Sequence, residues 1–128
     1  VLYTRIMSHA LAPDRLSPPL AAAVERLCAI APVERVILFG SRARGDHDDD
    51  SDWDLCVLLD DNIPPGRYTP VSLWQAVRDL GATIQVVPMR RSVFETSRND
   101  INTLAHDVAA DGIVLYDKVA ARQVTQAS

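Results

Sequence analysis

The sequence predicts an α/β (α+β) fold in which a mixed sheet of about four strands is flanked by helices. Three observations lead there. Short apolar runs, such as Val36-Ile37-Leu38-Phe39 and Leu55-Cys56-Val57-Leu58-Leu59, alternate with segments whose apolar residues recur at helical spacing. Glycine or proline stands at most of the boundaries between them. The length, 128 residues with 48% apolar and 23% charged side chains, suits one globular core. A single domain over 1–128 is expected, its core at 17–116 and a weakly patterned, fraying tail at 118–128.

Taken in order, residues 13–19 are a turn-rich lead-in. Ser17 is the expected N-cap of a helix running to about Ala31, with Pro18-Pro19 in its first turn. Leu20, Val24, Leu27 and Ala31 form its apolar stripe, and Pro32 ends it. A strand follows over 33–39, then a short helical turn over 41–45 closed by Gly45. A polar loop at 46–51 leads into a second strand over 52–59. The stretch 60–70, with Pro64-Pro65-Gly66, reads as a long loop. A helix is expected over 71–80, with Val71, Trp74, Val77 and Leu80 inward and Gly81 as its C-cap. The third strand covers 82–89, and Pro88 places it near a sheet edge. Short helices over 91–98 and 100–110, the second ended by Gly112, precede a last strand over 113–116.

The formal charge is −4, and six of the 17 acidic residues fall between Asp46 and Asp54. This excludes a general DNA- or RNA-binding surface, which is normally basic. Arg42, Arg44, Arg90, Arg91 and Arg98 form at most a local basic rim. No apolar run approaches the length of a membrane span. Thr4, Arg5, Ser8 and His9 interrupt what a signal peptide would keep apolar. Val1 in first place fits a non-standard start codon, a trimmed chain or a start at Met7. Cys28 and Cys56 sit in apolar patterns with no second ligand at metal spacing, as buried reduced thiols of a cytoplasmic protein do.

The chemistry concentrates between Gly40 and Asp54. Gly40-Ser41 follows a buried strand, where a tight turn lets backbone N–H groups and a hydroxyl approach phosphate. Ten residues separate Ser41 from Asp52, which with Asp54 flanks Trp53 at the mouth of the second strand. Positions i and i+2 of a strand share a face, so the two carboxylates stand together and repel unless a cation or proton lies between them. They are the expected catalytic and metal-binding pair, bridging Mg²⁺ to a nucleoside triphosphate. One ion orients the phosphates, and a second would activate an attacking hydroxyl. Arg42 or Arg44 would neutralise developing charge on phosphate. An EF-hand is excluded: started at Asp48, it puts Trp53 where glycine is needed and Leu59 where the bidentate acid is needed. His47 reads as a solvated loop residue, and His9 and His106 lack metal-ligand spacing. Trp53 points opposite to the two acids and packs beneath the sheet; Trp74 belongs to a core stripe.

Gly40-Ser41, Arg42-Ala43-Arg44-Gly45 and Asp52-Trp53-Asp54 together resemble the minimal nucleotidyltransferases of the DNA polymerase beta superfamily. The resemblance spans roughly 33–116. It implies ATP and Mg²⁺ as cofactors and transfer of a nucleoside monophosphate to a hydroxyl. It assigns Asp52 and Asp54 to metal and catalysis, and Gly40, Ser41, Arg42 and Arg44 to the nucleotide. Relatives of this size are usually the antitoxin half of a pair with a helical HEPN-type ribonuclease toxin, which they cover and adenylylate on a tyrosine. One position departs from the pattern. The family carries a third carboxylate on a later strand, and Gln85 occupies that place in Ile84-Gln85-Val86-Val87. An amide is a poor general base and a weaker Mg²⁺ ligand.

Three functions remain open on these grounds. The chain is an adenylylating antitoxin, an antitoxin that neutralises its toxin by steric cover, or a nucleotidyltransferase for a small molecule. A homo- or hetero-oligomer is expected, with the acidic rim at 46–50 and the apolar residues Ile63, Tyr68 and Ile101 available to a partner. A polymerase is the least expected reading, because fingers, thumb and a basic template groove do not fit in 128 residues.

Overall fold

The computed structural model describes residues 17–121. His9, the lead-in at 13–16 and the tail at 122–128 lie outside the described residues. In chain order the elements are α1 (Pro18–Ile30), β1 (Val33–Phe39), α2 (Ser41–Arg44), β2 (Trp53–Leu59), α3 (Pro70–Gln75), β3 (Ile84–Arg90), α4 (Arg91–Ser97), α5 (Leu104–Asp111) and β4 (Ile113–Asp117). The four strands form one sheet in the order β3-β2-β1-β4. β1 runs antiparallel to both β2 and β4, whereas β2 and β3 are parallel. The sheet is therefore mixed, with helices on both faces.

β2 shows why its sequence is a continuous apolar run. Leu55, Cys56, Val57, Leu58 and Leu59 are all at most 1% exposed, because this inner strand is covered on both sides. Alternation divides its side chains between two cores. Leu55, Val57 and Leu59 join Val36, Leu38, Leu20 and Leu27 beneath α1 and α3. Cys56 and Leu58 join Ile37, Phe94, Ala105 and Val108 beneath α4 and α5. β3 lies at one edge, where Pro88 costs no internal ladder bond.

One expectation holds in position only, and two need correction. Ser17 begins α1, but its hydroxyl makes no cap bond and is buried without a partner. Pro19 in the first turn has removed one of the N–H groups an N-cap oxygen would accept from. The helix expected over 71–80 is the shorter α3, started by Thr69 through a reciprocal capping box with Ser72. Its inward residue is Leu73, joined by Val77 in the following turn, while Val71 and Trp74 are 61% and 42% exposed. Ala76 is its C-cap, and Gly81 instead takes a left-handed conformation beyond the turn. The helix expected over 100–110 starts only at Leu104, because Thr103 caps it by accepting from His106 N–H. Strand starts shift slightly: β2 begins at Trp53 and β3 at Ile84. No helix among the described residues is long and apolar enough to cross a membrane.

Candidate functional site

The site lies where β1 ends and β2 begins. Antiparallel pairing sets Phe39 opposite Asp54, so the chain leaving β1 passes directly over that carboxylate. Gly40 sits there with φ 77° and ψ −159°, a backbone region open only to glycine. A Cβ built on it would overlap Asp54 Oδ2. Conformation and close approach thus both demand glycine. Ser41 starts α2, and Gly45, at φ 88°, closes it with its N–H on the Ser41 carbonyl at 2.9 Å.

Asp54 is partly buried at the rim of the core beneath α4 and α5. Burial first, and the Asp52 charge second, hold its pKa above the ordinary carboxylate value; Arg44 opposes the shift. On β3, Gln85 is in register with Asp54, and its amide Nε2 donates to Asp52 Oδ2 at 2.7 Å. The structure therefore brings Gly40, Asp52, Asp54 and Gln85 together, Asp54 and Gln85 by strand register, Gly40 by its close approach to Asp54, and Asp52 by the bond from Gln85. Among the described residues, no third His, Cys, Asp or Glu gathers with the two acids into a metal-binding group. The pair still fits Mg²⁺, which uses one or two carboxylates and takes its other ligands from phosphate and water.

The two arginines are already engaged. Arg42 lies over the Trp53 ring, 4.2 Å from its centroid, and donates from Nε to the Ser51 carbonyl at 3.0 Å. Its Nη2 reaches the carbonyls of Asp48 and Asp49, each at 3.4 Å. It clamps the acidic loop to β2. Trp53 points away from the acids and packs on the larger core, as alternation requires. An open polar cavity of about 540 Å³ lies on that side, bordered by Arg42, Asp50, Trp53, Arg78 and Thr83. Arg44 pairs with Asp46 at 3.1 Å and Asp111 at 3.5 Å, contacts that raise its already high pKa.

Other candidates fall away from the site. Glu95 faces Arg35 and Arg98, each at 3.9 Å, and Arg35 also pairs with Asp117 at 3.3 Å. Arg35 pairs with Leu58, toward the far end of β1 from Gly40, so Glu95 does not stand in for a third acid. Asp100 caps its own turn through Asn102 N–H. His47 is exposed in the loop. Cys28 and Cys56 are free thiols, and burial pushes Cys56 up to about 12. Ile63 and Tyr68 are partly buried and pack against the core while lining a shallow surface pocket; Ile101 is 74% exposed.

Sequence reasoning missed one neighbour of the site. Val71 and Trp74, read as core, instead line an open apolar groove of about 370 Å³ with Pro70, Val86 and Val87, and Gln85 forms part of its wall. The only signal available was Thr69-Pro70-Val71-Ser72, whose capping box shifts the helix start and so the inward face.

Comparison with known proteins bears on this geometry. Residues 25–120 match the family described as Polymerase beta, Nucleotidyltransferase. A curated relative, the protein adenylyltransferase MntA of Aphanizomenon flos-aquae (strain 2012/KM1/D3), is 31% identical over 98 residues. That match covers 72% of this chain and 62% of the relative, so the chain spans under two thirds of its length. Among solved structures, a toxin-antitoxin with AMP-PNP aligns at TM-score 0.53 and 20% identity, covering 81% of this chain and 83% of that one. A double mutant of the toxin-antitoxin MntA-HpeT aligns at TM-score 0.52 and 19% identity, covering 80% and 82%. At such identities the likeness is one of fold.

Proposed function

The chain belongs to the polymerase beta nucleotidyltransferase family, and on that premise we propose that it is a cytoplasmic antitoxin that transfers AMP from Mg-ATP to a tyrosine hydroxyl of a HEPN-type toxin. The observation that carries this reading is the close approach of Gly40 to Asp54, which brings the Gly40-Ser41 turn against the carboxylate pair. The 31% identical relative, a protein adenylyltransferase, supports the chemistry. The fold neighbours, a toxin-antitoxin with AMP-PNP and the toxin-antitoxin MntA-HpeT, support the partner and the nucleotide.

In this mechanism Gly40 and Ser41 hold the triphosphate, with the Ser41 hydroxyl as one donor. Asp52 and Asp54 hold Mg²⁺, which when bound neutralises and orients the phosphates. The acceptor oxygen bonds to the α-phosphorus as the bond from that phosphorus to the β-phosphate bridging oxygen breaks. Pyrophosphate leaves with the electron pair, and the hydroxyl proton passes to solvent or a base on the acceptor. Gln85 cannot take that proton.

Gln85 is also what favours a second reading, in which the fold and nucleotide are kept but the toxin is silenced by cover. Both readings give a hetero-oligomer with the acidic loop at 46–50 facing a basic surface. Co-expression with the product of the adjacent reading frame, followed by labelled-ATP transfer and mass spectrometry, separates them. A tyrosine carrying AMP is expected. A relieved but unmodified partner would leave the covering antitoxin, and absence of any complex would remove both.

A further inference from the structure

We propose that Gln85 is a positioning residue that restricts the carboxylate pair to a single divalent cation, an inference that rests on the nucleotidyltransferase reading above. Gln85 is exposed, so core packing does not fix its side chain. What holds it is the 2.7 Å bond from its amide nitrogen to Asp52 Oδ2. An ionised carboxylate has no proton to give, so the amide turns its NH₂ side toward Asp52 and its carbonyl oxygen elsewhere. The bond occupies Oδ2 and fixes the rotation of the carboxylate. Asp52 Oδ1 and the Asp54 carboxylate are left for a cation. This is how a neighbour outside the ligand shell orients a metal ligand.

The same bond argues against a second cation. A divalent ion gives up its water only for negative or strongly polar oxygens. Beside Asp52 the Gln85 amide offers hydrogen, which carries partial positive charge, where a second ion would need a lone pair. No nearby acid compensates, since the described residues hold no group of three or more metal-ligating side chains. Asp46 and Asp111 do not supply the missing ligand either, because both are paired with Arg44. The carboxylate pair and amide together form a one-ion site with a fixed first ligand.

The test counts Mn²⁺ bound to the full chain in the presence of AMP-PNP by electron paramagnetic resonance, for wild type, Gln85→Glu and Gln85→Ala. Glutamate keeps the length of glutamine and exchanges only NH₂ for oxygen. The wild type should hold one Mn²⁺ per AMP-PNP complex. Gln85→Glu should hold two, with the spin coupling of a close pair. Gln85→Ala should hold one, bound on the order of tenfold more weakly because Asp52 is no longer oriented. Thermal melting of each variant beside wild type establishes that it is folded, and either variant alone decides between the outcomes. Two ions on the wild-type chain would overturn the inference and leave the nucleotidyltransferase reading intact. One ion of equal affinity on all three chains would overturn it as well. If wild type takes up neither AMP-PNP nor Mn²⁺, the nucleotidyltransferase reading itself is lost, and this inference with it.

Discussion

Arg42 stacks on Trp53 at 4.2 Å while its guanidinium reaches back to the carbonyls of the acidic loop. The first residue after the Gly40-Ser41 turn is thereby tied to the residue between the two acids. This contact links the turn, the acidic loop and the start of β2. A guanidinium spent on carbonyls and an indole is also less free to meet phosphate.

Arg42→Ala should destabilise the chain by about 1–2 kcal/mol, from the stack and the bond to Ser51. Arg42→Lys should recover little, since an ammonium lacks the planar fork. Urea denaturation gives the stability, and hydrogen exchange of residues 46–51 the loop. Unchanged stability and loop exchange, with ATP binding alone lost, would make Arg42 a phosphate ligand instead.

Two glycines separate strain from contact. Gly45 has positive φ with nothing within 4 Å, so Gly45→Ala meets only the left-handed backbone cost, about 1 kcal/mol. Gly40→Ala meets a steeper backbone cost, in a region open only to glycine, and a clash with Asp54, so it should lose more than about 2 kcal/mol. It should also abolish ATP binding by calorimetry, whereas Gly45→Ala should keep it. Equal effects of the two substitutions would show that the approach of Gly40 to Asp54 is unimportant.

The raised pKa of Asp54 makes a statement about stability. An acid raised in the fold stabilises it most below the ordinary carboxylate pKa, and that contribution is lost as pH rises through the raised value. At neutral pH the ionised Asp54 is therefore a cost. Asp54→Asn should raise neutral-pH stability by roughly 0.5 kcal/mol, kept small by solvent screening, and the difference should vanish in acid. Mg²⁺-dependent ATP binding should be lost in the same variant, and more completely in Asp52→Ala/Asp54→Ala. A neutral-pH stability that falls in Asp54→Asn would contradict the electrostatic account.

The face of α3 is testable in the same way. Leu73 is fully buried, so Leu73→Ala should cost about 3 kcal/mol, while Trp74→Ala should cost under about 1 kcal/mol. Thermal or urea unfolding ranks them, and the reverse order would restore the stripe read from the sequence.

That contrast shows what the chain made legible. β2 could be read almost to the residue, because a strand covered on both faces must be apolar throughout and Gly40 and Asp60 bound the neighbouring runs. The pairing of Asp52 with Asp54, and of both with Gln85, followed from strand alternation and from the family pattern. α3 was misread because two overlapping stripes share Val77 and Leu80, and a six-residue helix offers too few turns to choose between them. The role of Arg42 was hidden for another reason. It depends on a loop folding back over the strand, and no local periodicity encodes that. Ser17 is the N-cap the sequence implied, but its hydroxyl goes unused because Pro19, which favours a helix start, also removes a donor it would have met.

The order β3-β2-β1-β4 has a consequence for biogenesis. β1 is an inner strand only because the last strand pairs with it, Leu38 against Ile113 and Arg35 against Asp117. While the chain is being made, β1 has one hydrogen-bonded neighbour and a bare apolar edge at Val36, Ile37 and Leu38, until nearly the whole fold has left the ribosome. Such an edge is a template for pairing with other chains, and closing it requires a contact distant in sequence, which forms slowly. Residues 113–117 are thus the seal of the sheet, and a nascent chain cut short before them would expose its stickiest strand.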